Sequence, residues 1–291
     1  MPMPVESLLP PLVMLAMTIV GLELTPADLL RALHDPLRTA LVLAAQLLLL
    51  PLVAAALIVV LDPDPVVAGG MMLVAAAAQA PMSNYFCVLA RADVALSVTL
   101  TALSSVIATF TMPWAVQAGF GLLSDPGHGV QLSPTRMMGV IATGLLLPLA
   151  VGMLVRHLVP GLVTRQRTRL QWLSLAVLAA LLGAIALDQA STIADRLGSL
   201  VLTSALFTVA AAALGVTLAR LARWSEIQTI TMAAAFPARS LSMATLVAVG
   251  LPGHNQFLSF AIVFFVVQAA LLVPAMLVAR SRADAPAETG H

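Results

Sequence analysis

The sequence of 291 residues has little charge, no lysine and a single cysteine. Charged residues make up 9% of the chain and hydrophobic residues 60%, with a mean hydropathy of +1.02. A soluble domain of this length does not need so much apolar surface. The lone cysteine, Cys87, excludes an internal disulfide and belongs to no metal-site pattern. We therefore predict an all-α, polytopic protein that lies in a membrane, since helices satisfy their own backbone groups there.

Signatures of other protein classes are also missing from the sequence. There is no Ser/His/Asp arrangement, metal cluster or phosphate-binding glycine loop, so we do not expect an enzyme or an organic cofactor. The sequence contains no ring-forming filter motif of the kind that channels carry, and this absence favours a carrier. The first residues, Met1 to Leu8, lack the basic region of a secretory signal, so the first helix is expected to remain in the mature protein.

Nine apolar segments are predicted to cross the membrane, each approaching the ~20 residues that a span needs. They are Leu8–Leu22, Leu37–Leu61, Val66–Arg91, Asp93–Leu123, Arg136–Val155, Leu170–Leu187, Leu200–Leu218, Ile227–Val249 and Phe257–Val278. Thr25–His34 is predicted to form an amphipathic helix at the interface, and Arg156–Arg169 a basic loop. The sequence thus predicts one transmembrane domain over residues 1–280 and a disordered cytoplasmic tail over 281–291.

The arginines are concentrated on one predicted side of the membrane. That side collects Arg31, Arg38, Arg91, Arg156, Arg165, Arg167, Arg169, Arg220, Arg223, Arg280 and Arg282. The opposite side has only Arg136 and Arg196, beside Asp62, Asp64, Asp125, Asp188 and Asp195. Because basic residues stay in the cytoplasm, the N-terminus is predicted to lie outside and the C-terminus inside, most simply in a cell (inner) membrane.

Pro81 interrupts the third apolar segment. Proline lacks an N–H and clashes with the preceding turn, and Ser83 and Asn84 could cap a second helical piece. Non-helical backbone at membrane depth is tolerated only when protein buries it or when it lines a watery cavity. The segment is therefore either a simple kink or a binding site. Ser97, Thr101 and Ser104 share one face of the next span, which indicates either close helix packing or further lining of that site.

Pro237 interrupts the eighth segment in the corresponding place. Each broken segment precedes one long apolar helix, predicted to end near Met112-Pro113 in the first half and Val273-Pro274 in the second. Paired interruptions in two halves are typical of secondary transporters with inverted repeats, in which the breaks meet near the bilayer midplane.

The chain resembles the bile acid:sodium symporter family, within the wider bile/arsenite/riboflavin transporter group. The segments that carry the resemblance are Gly21-Leu22-Glu23-Leu24 followed by Asp28, Gln46 with Pro51, Ser83-Asn84, Leu89-Ala90-Arg91, Val94-Ala95-Leu96-Ser97 and Thr101. The resemblance implies a core domain with two crossed discontinuous helices and a panel domain. It also implies the nine-span form, with repeats of four and five helices.

The resemblance implies sodium ligands for one site at Ser83, Asn84, Ser97 and Thr101, and keeps one ligand of a second site at Gln46. The second broken helix departs from the family. Where the family has a glutamate, a glutamine and an asparagine, this chain has Ala233, Pro237 and Ala238. The resemblance implies that this glutamate serves both sodium ions in the family, so the corresponding negative charge is missing here.

Arg239 follows these missing ligands and introduces a positive charge at membrane depth, where charged residues are functional by default. It could replace the charge of sodium, grip an anion, or serve only to satisfy carbonyl groups of the broken helix. We predict substrate-binding residues at Arg239, Ser83, Asn84 and Ser240.

The predicted function is secondary transport of a small or amphipathic organic anion by alternating access, with sodium coupling weakened or absent. The expected partners are that anion and the lipid bilayer, not a nucleic acid. The alternatives are a non-transporting receptor or scaffold on a degenerate transporter fold and a conventional sodium symporter.

Overall fold

The computed structural model describes residues 5–23, 35–123, 134–249 and 255–284. Every regular element within these ranges is helical, so the all-α prediction is confirmed for them. The helices are α1 (Val5–Glu23), α2 (Pro36–Leu61), α3 (Pro65–Ala76), α4 (Met82–Ala90), α5 (Val94–Leu123), α6 (134–158), α7 (Pro160–Arg165), α8 (Arg167–Asp188), α9 (Ala190–Leu221), α10 (Glu226–Ala235), α11 (Leu241–Val249) and α12 (Leu258–Asp284).

The outer surface of the helices suits hydrocarbon. In the described ranges, five helices are long and apolar enough to cross a bilayer, namely Pro36–Leu61, Val94–Gly121, Met137–Leu158, Ala190–Leu221 and Asn255–Ser281. Shorter apolar helices cover Leu8–Leu22, Pro65–Ala76 and Ala176–Asp188. Large apolar side chains on their outer faces are strongly exposed, such as Val59 and Leu187, each at 79%. The chain is an integral membrane protein, and the nine-span count stays a prediction.

Several predicted boundaries are wrong. The predicted basic loop 156–169 is mostly helical, because Pro160 occupies the first position of α7, where its missing N–H costs nothing. Helices α5 and α12 continue through Pro113 and Pro274, since the apolar sequence on both sides keeps the helix intact. Helix α12 also includes residues 281–284, which we assigned to the tail. The predicted interfacial helix 25–34 lies outside the described residues, which begin again at Asp35.

Helices α2 and α6 each contain a π-helical turn before a proline. The turns are Ala45–Leu49 and Ala142–Leu146, and Pro51 and Pro148 follow them. A proline cannot donate to the carbonyl of the preceding turn, and a wider turn relieves that mismatch. The turn in α2 carries Gln46, whose side chain is fully buried.

The helices pack in two groups. Helix α1 packs mainly against α6 and α8, while α3, α4 and α10 pack among α5, α9 and α12. Helix α11 lies between the two groups, against α1, α6 and α12. Gly21 and Gly152 allow α1 and α6 to touch through their backbones, since a Cβ at either position would lie 2.2 Å from a carbonyl oxygen of the other helix. We call α1, α6 and α8 the panel group and the remaining long helices the core group. The breaks of the two interrupted segments belong to the core group.

Candidate functional site

The two breaks lie side by side and are joined by backbone hydrogen bonds. Helix α3 ends at Ala76 and α4 begins at Met82, while α10 ends at Ala235 and α11 begins at Leu241. The Ala80 N–H donates to the Ala238 carbonyl at 2.8 Å, and the Ser240 N–H donates to the Ala78 carbonyl at 2.9 Å. Gln79 and Arg239 therefore form an antiparallel bridge. Each break satisfies backbone groups that the other leaves open, as burial requires.

Two further contacts complete the donors of the first break. The Gln79 N–H donates to Ser104 Oγ at 3.1 Å, and the Ala78 N–H donates to Met243 Sδ at 3.3 Å. The polar face predicted for the fourth span thus meets the break, since Ser104 supports its backbone.

The first break begins earlier than predicted. The helix already ends at Ala76, and Ala77 is extended, because the bridge to the second break holds residues 77–80 out of the helix. Pro81 occupies the N-cap position of α4. The expectation that Ser83 and Asn84 cap α4 is therefore wrong. Both residues lie inside the first turn of α4, and their side chains bond to other partners.

The side chains of Ser83, Asn84, Ser97 and Thr101 converge in one buried group, which we call the hydroxyl cluster. Ser83 Oγ lies 2.9 Å from Ser97 Oγ and 3.5 Å from Thr101 Oγ1. Ser97 Oγ donates to Asn84 Oδ1 at 2.7 Å. The structure thus brings together the four residues that the family resemblance assigns to one sodium site.

Gln79 occupies the centre of the hydroxyl cluster and was not among the predicted site residues. Its side chain is fully buried. Its Nε2 donates to Ser83 Oγ at 2.8 Å and to Thr101 Oγ1 at 3.1 Å, and its Oε1 accepts from Gln46 Nε2 at 2.9 Å. Gln46 therefore joins the same cluster through Gln79. A buried amide within an apolar run is costly unless it is bonded, and that cost could have singled out this residue.

Arg239 caps the broken end of α3. Its side chain is 2% exposed, and Nη2 donates to the Ala75 carbonyl at 3.2 Å and to the Ala77 carbonyl. Carbonyls at a helix C-terminus lack helical donors and carry partial negative charge, so a guanidinium there is stabilising. Nε and Nη1 are also buried, and they have no hydrogen-bond partner among the described residues. The side chain thus braces the break and keeps donors available.

A small cavity lies between the panel group and the two breaks. Its volume is about 80 Å³. It is lined by Ala16, Met17, Val20, Ala80, Pro81, Met82, Tyr85, Leu178, Leu181, Arg239, Ser240, Leu241, Ser242 and Phe265. The predicted substrate residues therefore separate into two places: Arg239 and Ser240 line the cavity, whereas Ser83 and Asn84 belong to the hydroxyl cluster.

A larger cavity of about 440 Å³ lies between α2 and the end of α9. Its walls are almost entirely apolar, with Leu41, Leu48 and Leu218 among them, and Arg38 is the charged side chain among the described lining residues. Ligand sites combine apolar walls with a few convergent polar groups. The smaller cavity beside the breaks meets this description, so we take it as the candidate site.

A membrane-embedded helical bundle with paired helix breaks, a buried polar cluster and a cavity between two helix groups defines a transporter of the carrier type. The sequence matches the model of the Sodium Bile acid symporter family over residues 10–196, and the chain belongs to that family. Its members are symporter-type membrane transporters and not enzymes. No curated protein matches the chain. The matched residues include the first break and end before the second, which is the segment that departs from the family pattern.

Proposed function

We propose that the chain is a secondary transporter of a small or amphipathic organic anion and that it works by alternating access, with the core group moving against the panel group. The observation that carries this proposal is the position of Arg239. A buried guanidinium, whose Nε and Nη1 have no hydrogen-bond partner in the described part of the chain, lines a cavity between two packed groups of helices. An anion would pair with these groups and offset the cost of keeping the charge away from water.

The lining of the cavity favours an anion with an apolar body. Arg239 and Ser240 offer donors, while Met17, Leu178 and Phe265 form apolar walls. The volume of about 80 Å³ is well below the 300–1,000 Å³ of ordinary ligand pockets. Only the charged head of such a substrate fits between the helix groups in this conformation, so the body needs a wider opening, which a movement of the core against the panel would supply.

The residues at the crossover do not fit a conventional sodium symporter. The family glutamate is replaced by Ala233, and Asp93, one turn before Ser97, uses its carboxylate to accept the Leu96 N–H. Neutral oxygens alone hold a hard cation weakly, and Arg239 adds a positive charge. We therefore propose that sodium coupling is weakened or absent.

Counterflow in proteoliposomes tests the transport proposal. Purified protein is reconstituted, loaded with an unlabelled carboxylate or sulfonate, and offered labelled compound outside, with apolar bodies of increasing size compared. Transient accumulation of label above equilibrium is expected for at least one such anion. A receptor on a degenerate transporter fold would bind the anion in detergent and give no accumulation, and that result would refute the proposal.

The orientation in the membrane is a further part of the proposal. Arg165→Cys, at the end of α7, is expected to react with an impermeant maleimide only from the cytoplasm, and Asp195→Cys, near the start of α9, only from outside. Both side chains are exposed, and the native Cys87 is buried, so it gives no background. Labelling of Arg165→Cys in intact cells would show that the predicted orientation is inverted.

A further inference from the structure

The oxygens of the hydroxyl cluster direct lone pairs at one point. Ser83 Oγ donates its proton to the Ala80 carbonyl at 2.9 Å. Ser97 Oγ donates to Asn84 Oδ1 at 2.7 Å, and Thr101 Oγ1 donates to the Ser97 carbonyl at 2.9 Å. A hydroxyl has one proton and two lone pairs. Because Gln79 Nε2 can only donate and each hydroxyl proton has another acceptor nearby, the three hydroxyls act as acceptors toward the centre of the cluster.

The centre is occupied by the amide nitrogen of Gln79. Nε2 has four oxygen neighbours, which are Ser83 Oγ at 2.8 Å, Thr101 Oγ1 at 3.1 Å, the Ser97 carbonyl at 3.2 Å and Ser97 Oγ at 3.4 Å. A carboxamide nitrogen has only two protons, so these oxygens outnumber its hydrogen bonds. Several oxygens that face one point and donate no proton to it form the arrangement that otherwise surrounds a bound hard cation.

We propose that the Gln79 carboxamide is the permanent, neutral occupant of the hydroxyl cluster and fills the position that a monovalent cation would need. The chain therefore keeps the oxygens of a cation site and closes that site with its own side chain. This inference rests on the proposed function in one respect, namely that it explains how such a transporter works without sodium. It concerns ion binding, which is measured without any substrate.

Gln79 is held in place from several directions. Its backbone is bridged to Arg239 and donates to Ser104, while its Oε1 accepts from Gln46 on the π-helical turn of α2. A cation entering the cluster would displace the amide and leave a buried polar group without partners, which is costly. A neutral occupant also avoids a second positive charge beside Arg239, the residue paired with Gln79 across the bridge.

Substitution of Gln79 by glutamate tests this inference. Gln79→Glu preserves the shape of the side chain and replaces the donating nitrogen with an acceptor, so the oxygens repel unless a cation or proton joins them. The measurement is the melting temperature of the detergent-solubilised protein at about pH 9, in sodium chloride and in choline chloride of equal ionic strength. We expect sodium to raise the melting temperature of Gln79→Glu by about 5 °C or more and that of the wild type by less than about 1 °C.

Gln268→Glu is the matched control, because Gln268 is a buried glutamine on α12, a helix that carries no residue of the cluster. It receives the same charge and is expected to show no preference for sodium over choline. If Gln79→Glu does not fold, Gln79→Ala takes its place, since it exposes the same oxygens and is expected to gain a sodium-dependent shift. Sodium stabilisation of the wild type, or a folded Gln79 variant that is indifferent to sodium, overturns the inference.

Discussion

Arg239→Ala is expected to lower substrate affinity and counterflow by at least about a hundredfold. The substitution removes the buried charge that lines the cavity and the Nε and Nη1 groups, which have no hydrogen-bond partner among the described residues. Hydrogen bonds to charged groups contribute about 1.5–3 kcal/mol each, so the loss of two corresponds to about 3 kcal/mol or more. Affinity is measured by calorimetry in detergent and transport by counterflow of the same anion.

Arg239 also supports the fold, so its two roles need to be separated. Arg239→Ala leaves the Ala75 and Ala77 carbonyls without their donor and is expected to lower the melting temperature as well. Arg239→Lys keeps the positive charge with a different donor geometry, and we expect it to retain part of the binding. Arg220→Ala, which removes an exposed arginine at the end of α9, should change neither property. Unchanged affinity in folded Arg239→Ala would mean that Arg239 is only a structural brace.

The sequence predicts the meeting of the two breaks because the physical requirement is general. Backbone groups freed by Pro81 and Pro237 at membrane depth need partners, and two such segments in matching places can supply each other. The face shared by Ser97, Thr101 and Ser104 was predictable from helical spacing alone. Its role was left open between packing and site lining, because spacing shows which residues are neighbours on one helix and not what they face.

The features that escaped the sequence depend on contacts between distant residues. Arg239 bonds a carbonyl 164 positions away, and that contact cannot be seen in any local pattern. The early end of α3 has the same origin, since the bridge to Arg239 extends the chain before Pro81 is reached. Gln79 was overlooked because a single amide in an apolar run has no motif. Only the three-dimensional structure shows that it lies among the hydroxyls.

Separation of the predicted substrate residues has a consequence for the chemistry of the site. Arg239 and Ser240 line the cavity, whereas Ser83 and Asn84 belong to the hydroxyl cluster. The bridge between Gln79 and Arg239 joins these two places. We therefore expect a ligand in the cavity and an occupant of the cluster to influence each other through this short stretch of backbone.

Transport by the wild type is expected to continue when sodium is replaced by choline. The argument is a charge count at the crossover. The glutamate of the family is absent at Ala233, the glutamine is absent at Pro237, and a fixed positive charge is present at Arg239. At about 5 Å and an effective dielectric of ~20, repulsion between a sodium ion and the guanidinium is about 3 kcal/mol. That energy corresponds to a loss of more than about a hundredfold in sodium affinity.

The measurement is counterflow driven by the substrate gradient alone, with sodium or choline at equal concentration on both sides of the vesicle membrane. The initial rate in choline is expected to stay within about twofold of the rate in sodium, because a carrier that does not bind sodium gains nothing from it. For comparison, a tenfold difference in rate would correspond to about 1.4 kcal/mol. Arg239→Lys, which keeps the positive charge, should show the same indifference. A conventional symporter would lose nearly all counterflow in choline. Such a loss in the wild type would mean that sodium binds despite Gln79 and Arg239, and that the charge at Arg239 is neutralised by a group other than the substrate.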